Sequence, residues 1–465
     1  MRRRLVSWLA LVALSGCSMA PAYRPPELPV PASWPQGDAY LKQSEAALPS
    51  YNYGDVFADP RLRAVIVQAL ANNEDLKRAA ANIAIARAQY RIQHAELLPQ
   101  LDASLGLRRS GGDGIADSTQ ASAEASVSGY EVDLFGRLQS LSGAAQDRYF
   151  ANEAAARATR LTLIGDLVDA WLAYAADSSL LAISKQTGEA ARESVRLTGR
   201  RLTGGVAPRS DLRQAELVLH TAEADAANLT TAVAQDRNAL NLLIGAEVDA
   251  ALLPSSIDDA GAHLAEVPAG LDSSILLRRP DVIEAEWQLR AANAEIGAAR
   301  AALFPRISLT GLLGLASGGL GSLFSSGNFV WQTGASASYA IFSGGAGKAS
   351  VEQSKAQRDA ALASYRKAIE SAFADVADAL ARRGTIEAQL TASRAGRDAA
   401  ADNLHLAQLR YKGGIDSYLG ELTARQALYN AERSLIGSKR LRATNRVALY
   451  RAIGADAMAV PTPGK

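Results

Sequence analysis

Residues 281–305 of the chain read DVIEAEWQLRAANAEIGAARAALFP, and residues 75–99 read DLKRAAANIAIARAQYRIQHAELLP. The two stretches have the same length and are offset by 206 residues. Each is rich in alanine, ends in an apolar pair before a proline, and is followed by a segment whose apolar residues recur with a period of two. Because the same succession of signals occurs twice, the sequence predicts an internal structural repeat.

Further matches extend the repeat through each half of the chain. Residues 135–136 (FG) match residues 342–344 (FSG), and residues 201–206 (RLTGGV) match residues 410–415 (RYKGGI). Prolines end the first helix of each half, and glycine pairs suit a turn between two helices. Each half is therefore predicted to run helix, strand, loop, strand, very long helix, Gly-Gly turn and helix.

Two segments have the length and the periodicity of very long helices. They cover residues 136–201 and 347–410, and the second would be about 95 Å long at about 1.5 Å per residue. Apolar residues recur in both at spacings of three and four, which is typical of coiled-coil seams. The two stripes are Leu161, Ile164, Val168, Leu172 and Ala175, and Tyr365, Ile369, Phe373, Val376 and Leu380. Helices of this length predict an elongated architecture.

Four short segments alternate between apolar and polar residues, as strands with two different faces do. The apolar sets are Leu101, Ala103, Leu105 and Leu107; Ala121, Ala123, Ala125 and Val127; Ile307, Leu309, Gly311 and Leu313; and Phe329, Trp331, Ala335, Ala337, Tyr339 and Ile341. Residues 109–120 and 317–328 are rich in glycine and serine and are predicted to be loops at hairpin tips. Each segment has the roughly 9–11 residues that a tilted strand needs to cross a membrane. Two amphipathic hairpins in a soluble sheet would show the same alternation, so this alternative stays open.

Four strands cannot close a barrel by themselves, and open sheet edges do not occur in lipid. Closure would therefore require several subunits, and three copies would supply twelve strands. After residue 16 no uninterrupted apolar run is long enough for a membrane helix, because the best candidate, residues 161–183, contains three aspartates. Any crossing of a membrane is predicted to use strands.

The first residues have the pattern of a secretory signal. Residues 2–4 are arginines, a short apolar run follows, and residues 14–17 read LSGC and contain the only cysteine of the chain, Cys17. The run is too short to span a bilayer. A cysteine at the end of a small-residue cleavage site resembles the bacterial lipobox, in which it becomes the lipidated first residue, and Ser18 favours sorting to the outer membrane. The alternative is a plain secretory signal with a chance cysteine.

The composition argues against nucleic-acid binding and against catalysis. The formal net charge is +1, so there is no bulk basic surface for nucleic acid. The histidines are scattered without the spacing of metal ligands. Residues 343–348 (SGGAGK) resemble a phosphate-binding loop but lack its first glycine and the hydroxyl residue after the lysine. We therefore expect a protein that is not an enzyme and that carries no cofactor apart from a covalent lipid on Cys17.

Residues 276–305, together with residues 130–136 (YEVDLFG) and 410–419 (RYKGGIDSYL), resemble the outer-membrane factor family of TolC-like channels, and specifically its NodT-type lipoproteins. The resemblance covers nearly the whole mature chain. It implies an α+β membrane protein, a homotrimer whose four strands per subunit form a twelve-stranded β-barrel in the outer membrane, continued by a long α-helical barrel in the periplasm. It also implies a passive exit duct for small molecules, which serves an inner-membrane RND-type pump through a periplasmic adaptor.

The repeat and the resemblance together divide the chain into predicted segments. They are a signal peptide (1–16), a lipidated N-terminal extension (17–59), a first repeat (60–245), an equatorial linker (246–275), a second repeat (276–454) and a C-terminal tail (455–465). The predicted location is the bacterial outer membrane, in which the lipid on Cys17 would anchor the protein. The helices would extend into the periplasm.

By the same resemblance, two glycine turns are candidates for the functional end of the channel. They are Gly204-Gly205 in the first half and Gly413-Gly414 in the second. The resemblance implies that these turns close the periplasmic end of the tunnel and dock the adaptor. The glycines could instead be simple turn formers.

Two acidic residues near these turns are candidates for the pore constriction. Asp416 lies in the second turn, and Asp211 occupies a looser counterpart in the first. Either one could instead be only a helix N-cap. The Ala-Pro-Arg sequence at residues 207–209 departs from the second turn and leaves the role of Arg209 open.

Two other functions stay open on the sequence. The same scaffold serves as an outlet for protein secretion, and a fold does not separate the two uses. A structural lipoprotein built on coiled coils is a further alternative, although a spacer of that kind needs no alternating strands.

Overall fold

The computed structural model of the chain describes residues 18–37, 39–40, 52–266 and 273–455. The predicted signal peptide, the predicted lipidation site Cys17 and residues 456–465 of the predicted tail lie outside the described residues. The chain divides into two units. We call them the sheet unit (Met1–Glu27, Ala81–Ala154 and Ile283–Lys367) and the helical unit (Leu28–Ala80, Ala155–Val282 and Ala368–Lys465).

The helices and strands follow the predicted order in both halves. The first half and the linker contain α1 (Tyr53–Val56), α2 (Pro60–Asn72), α3 (Glu74–Ala95), β1 (Asp102–Gly112), β2 (Ile115–Val132), α4 (Arg137–Thr203), α5 (Arg209–Ile244) and α6 (Ile257–Gly261). The second half contains α7 (Pro280–Ala301), β3 (Arg306–Ser317), β4 (Phe329–Ser338), α8 (Ala346–Lys412) and α9 (Tyr418–Ala452). The succession of helix, strand, strand, 67-residue helix and helix therefore occurs twice.

The first and last residues of the two long helices, α4 and α8, agree with the predicted ones to within two residues. Their apolar stripes are buried as predicted, except that Phe373 is only half-buried. The ring of Phe373 lies 5.2 Å from that of Trp34, which is 5% exposed, so the N-terminal extension covers part of the α8 stripe. Within the described residues, no helix combines the length and the apolar character needed to span a bilayer.

The four strands form one antiparallel sheet in the order β1-β2-β3-β4. Pairing of β2 with β3 joins the two halves of the chain. β1 and β4 are the outer strands of this sheet, and all their residues are exposed. Large apolar side chains are among them, since Leu105 is 83% and Trp331 is 69% exposed.

Two strand bounds differ from the prediction. Residues 109–120 were expected to be a loop, but they continue β1 and β2 up to a tight turn at Asp113-Gly114. Gly114 has a φ of +81°, and an Asp-Gly pair is favoured in two-residue hairpin turns because such turns need positive φ. Strand pairing thus outweighed the loop-like composition. At the other end of the sheet, β4 ends before Tyr339 and Ile341, which lie outside the strand.

The linker between the two halves is fastened to the start of α2. Asp59 caps that helix by accepting a 2.8 Å hydrogen bond from the backbone N–H of Arg61, and Pro60 occupies the first helical position. The Arg61 guanidinium lies 2.7 Å from a carboxylate oxygen of Asp59 and 2.9 Å from one of Asp259 in α6. The hydrogen bonds from Arg61 lower the pKa of Asp259 to about 2. Burial acts to raise the pKa of Asp59, but the hydrogen bonds from Arg61 outweigh it and lower that pKa as well. Both acids therefore stay ionised, and ion pairs hold the linker.

Candidate functional site: the two glycine turns

The first glycine turn ends α4 and leads into α5. Gly205 has a φ of +71°, in the left-handed region. Its N–H donates to the carbonyl of Leu202 at 3.0 Å, and the N–H of Val206 donates to the carbonyl of Arg201 at 2.9 Å. This pair of bonds is the Schellman arrangement, which satisfies the last carbonyls of a helix.

The second turn, between α8 and α9, is built in the same way. Gly414 has a φ of +70°, its N–H donates to the carbonyl of Tyr411 at 3.1 Å, and the N–H of Ile415 donates to that of Arg410 at 2.9 Å. Gly413 and its counterpart in the first turn lie outside the left-handed region. The second glycine of each pair is therefore required by the turn geometry, whereas the first is not.

Within the helical unit the two turns lie close together, and the contact is made by residues to which the sequence assigned no role. The guanidinium carbon of Arg201, in the last turn of α4, lies 4.8 Å from the centre of the Tyr411 ring in the last turn of α8. The Tyr411 ring in turn lies 5.4 Å from that of Tyr418, which begins α9 and is 3% exposed. Arg201 and Tyr411 both belong to the repeated motif, but only the packing shows that they form a cation–π pair.

Asp416 is paired with an arginine in its own turn. The Arg410 guanidinium donates to both carboxylate oxygens of Asp416, from Nε at 2.5 Å and from Nη2 at 3.2 Å. These bonds lower the pKa of Asp416, so it is ionised at neutral pH. The N-cap of α9 is Ser417, so the alternative in which Asp416 is only an N-cap is wrong.

Asp211 lies in a different environment. It is the third residue of α5, whose N-cap is Pro208, so Asp211 is not an N-cap either. An acid in the first turn is favoured by the helix dipole. The Ser210 hydroxyl lies 3.4 Å from its carboxylate, and Arg209 is the exposed first residue of the helix. The two candidate acids thus do not occupy equivalent positions.

The tips of both turns expose apolar side chains. Val206 is 73% exposed, its counterpart Ile415 is 70% exposed, and Leu419 at the start of α9 is 54% exposed. Val206 and Ile415 directly follow the left-handed glycines Gly205 and Gly414. These exposed side chains are free to contact another protein.

A pair of acids lies farther along the same helices. Asp236 of α5 shares a side-chain hydrogen bond with Asp177 of α4. Burial, together with the negative charge of Asp177, raises the pKa of Asp236 to about 6, although Arg440 acts in the opposite sense. Its Oδ2 atom is buried and has no hydrogen-bond partner among the described residues. Between about pH 4 and pH 6, the folded protein therefore holds a proton on Asp236 that the unfolded chain has lost.

The described residues contain no group of three or more histidine, cysteine, aspartate or glutamate side chains placed to hold a metal ion. His94 Nδ1 lies 3.2 Å from Ser142 Oγ, and His220 Nδ1 lies 3.2 Å from a carboxylate oxygen of Glu223. The absence of a cofactor stays a prediction.

The sequence matches the family described as Outer membrane efflux protein over residues 65–246 and 271–455, which include both glycine turns. The chain belongs to this family. Two relatives from Pseudomonas putida, "Antibiotic efflux pump outer membrane protein ArpC" and "Toluene efflux pump outer membrane protein TtgC", are each 42% identical to it over 467 residues. These alignments cover 98% of this chain and 96% of each relative.

Solved membrane-protein structures have the same fold. The open state of the MtrE outer membrane channel of Neisseria gonorrhoeae is 35% identical, with a TM-score of 0.86 over 94% of this chain and 98% of that one. A membrane protein from Pseudomonas aeruginosa gives a TM-score of 0.87 at 35% identity and the same coverages. The predicted family is confirmed, and this outer membrane efflux protein is the outer-membrane component of an efflux pump.

Proposed function

We propose that three copies of this efflux protein form a passive exit duct, with a twelve-stranded β-barrel in the outer membrane and an α-helical barrel in the periplasm. The observation that carries the proposal is the four-stranded sheet, whose outer strands expose large apolar side chains. A sheet with two open edges is excluded from lipid, whereas pairing of β1 with β4 of the next copy would remove every edge. Because the same order of helices and strands occurs in both halves of the chain, we also propose that the two halves derive from an internal duplication.

Adjacent residues of β1 test the barrel. Leu105 belongs to the apolar set that would face lipid, and Ser104 would face the lumen. Arg or Lys on the lipid face costs about 2–4 kcal/mol at the middle of the bilayer. Leu105→Arg should therefore abolish the heat-sensitive trimer band in outer membranes, whereas Ser104→Arg should retain it. Equal trimer levels for the two variants would favour the soluble sheet or the structural coiled-coil lipoprotein.

The duct would be anchored by acylated Cys17 in the outer membrane. Its partners would be a periplasmic adaptor and an inner-membrane RND-type pump that supplies the energy, and no nucleic acid would bind. The exposed pair Val206 and Ile415 supports adaptor docking at the glycine turns. Such a duct needs no catalytic group and no cofactor, because solutes only pass through it.

The acids at the turns would shape the pore entrance. Threefold symmetry would bring three copies of Asp416 together, each paired with its own Arg410. The ring formed by the three Asp416 carboxylates would thus be only partly electronegative. Asp211 is the second candidate for the constriction. Single-channel recording on Asp416→Ala tests this, since unchanged conductance and ion selectivity would exclude a role for the ring.

The cargo would be small toxic molecules, in line with the toluene and antibiotic pumps of the relatives. The test is the accumulation of aromatic hydrocarbons and antibiotics in cells that lack the protein, compared with cells restored by the wild type or by Cys17→Ala. Accumulation should rise on deletion and fall on restoration with the wild type. If no compound responds and a protein instead disappears from the medium, the secretion outlet is the better assignment.

A further inference from the structure

The two glycine turns differ in charge although their backbones match. When the turns are aligned on their left-handed glycines, the counterpart of Asp416 in the first turn is Ala207. Asp416 forms an ion pair with Arg410 in the second turn. Ala207 offers no such partner to Arg201, which is the counterpart of Arg410 and lies against the Tyr411 ring instead. The first turn therefore lacks the acid that neutralises the second.

The charges close to each glycine pair show the same difference. Residues 200–211 contain three arginines and one aspartate, whereas the matching residues 409–420 contain one arginine, one lysine and one aspartate. The aspartate of the second segment is paired with its arginine. The aspartate of the first segment, Asp211, lies 3.4 Å from the Ser210 hydroxyl. The first turn is thus the more positive of the two.

Helix electrostatics explains the other basic residues at the turns but not Arg209. Arg200 and Arg201 lie in the last turn of α4 and Lys412 lies in the last turn of α8, where the helix dipole favours positive charge. Arg209 is instead the first residue of α5, where the dipole disfavours a positive charge. It is exposed, and within the part of the chain that the structure describes no acid pairs with it. The charge of Arg209 therefore does not serve the fold.

An apolar side chain stands at the tip of the same turn. Val206, three residues before Arg209, is 73% exposed. A protein that covers Val206 would also bring its own polar groups to Arg209. Charged groups that meet across an interface are arranged so that their potentials are complementary. The group that suits Arg209 is a carboxylate, which an arginine can bind through two parallel hydrogen bonds.

We propose that the first glycine turn selects the adaptor by charge, with Arg209 pairing with a carboxylate of the adaptor beside an apolar contact at Val206. The inference rests on the proposed docking of an adaptor at the glycine turns. The second turn, in which Arg410 neutralises Asp416, would add an apolar contact through Ile415 and little charge. An adaptor with a basic side chain at this place would be repelled, so the contact that attracts the right partner also excludes wrong ones.

The first test measures this preference on the purified full-length protein. The probes are three disulfide-closed helical hairpin peptides that differ only at the tip, which reads Leu-Glu, Leu-Gln or Leu-Lys, and binding is followed by fluorescence anisotropy. The Leu-Glu hairpin should bind at least tenfold more tightly than the Leu-Lys hairpin, and high salt should reduce the difference because exposed charges are screened. Arg209→Gln should remove most of the difference, and Arg209→Glu should reverse it.

Arg394→Gln is the matched control for this measurement. Arg394 is an exposed arginine of the same helical unit, and it lies in α8 about 28 Å from the second turn along the helix. This variant should keep the preference of the wild type. Equal binding of the three hairpins to the wild type, or the same preference in Arg209→Gln as in Arg394→Gln, would overturn the role of charge. If no hairpin binds, docking at the turns is itself contradicted.

The second test identifies the partner in cells. Arg209→Glu should raise the accumulation of exported compounds severalfold, whereas Arg394→Glu should not. Glutamate is favoured at the start of a helix, so the trimer band should persist. Second-site mutations that restore efflux to Arg209→Glu cells should replace an aspartate or glutamate of a periplasmic protein by lysine or arginine.

Two results of the second test would overturn the proposal. Suppressors confined to this chain, or a lost trimer band in Arg209→Glu cells, would place the contact of Arg209 within the channel. Accumulation that does not change when the whole protein is deleted would instead contradict the proposed cargo, and the hairpin measurement then decides the inference alone.

Discussion

Substitution of the two glycines in the second turn should have different effects on stability. Gly414 lies at a φ of +70°, where a Cβ atom costs roughly 1–2 kcal/mol. Gly413 lies outside that region, and an added Cβ would lie 3.3 Å from the Leu409 carbonyl oxygen, a tight contact that a small shift can relieve. At a compatible position Gly→Ala stabilises by about 0.4–1 kcal/mol, because the unfolded chain has fewer states. Gly414→Ala should therefore weaken the turn, whereas Gly413→Ala should leave it unchanged or strengthen it.

Amide hydrogen exchange at Ile415 measures the effect locally, because its N–H closes the turn on Arg410 at 2.9 Å. A loss of 1–2 kcal/mol corresponds to roughly a 5–30-fold loss of protection. We expect this loss in Gly414→Ala and not in Gly413→Ala. The same Gly→Ala substitutions at Gly204 and Gly205 repeat the test in the first turn, where Gly205 has a φ of +71°. Equal protection in the two variants of a pair would refute the assignment of the positive-φ glycines as the ones that the turns require.

Three further predictions concern charge and surface. Arg410→Ala should leave the Asp416 carboxylate unpaired and raise cation selectivity in single-channel recordings, and unchanged selectivity would exclude Asp416 from the conduction path. Asp236 has a pKa of about 6, above its ordinary value, so the folded state loses stability as pH rises from about 4 to 6. Asp236→Asn should remove this loss and stabilise the protein by about 1 kcal/mol at pH 7.5 but not at pH 4 in urea unfolding. The matched control is Asp402→Asn, at an exposed aspartate of α8. Ile415→Asp should weaken adaptor binding at least tenfold in a pull-down without lowering trimer levels, and wild-type binding would place the adaptor elsewhere.

Part of the fold was readable from the sequence because its signals are local. Prolines and glycine pairs mark the ends of the helices, and the three-four spacing marks their buried stripes, so α4 and α8 were predicted to within two residues. The first hairpin was predicted less well. Its residues 109–120 have the composition of a loop, and only the pairing of β1 with β2 makes them strands. The Asp113-Gly114 pair was the available signal for the tight turn.

By itself, the sequence determined the repeated order of elements, the family and the positions of the glycine turns, since each depends on residues close together in the chain. Tertiary structure alone decided what the candidate residues do. Arg201 and Tyr411 form a pair although they are 210 residues apart, and Arg300 binds the carbonyl of Met19 across 281 residues. Contacts of this range leave no periodicity or spacing in the sequence, because they depend on which helix faces meet when the chain folds.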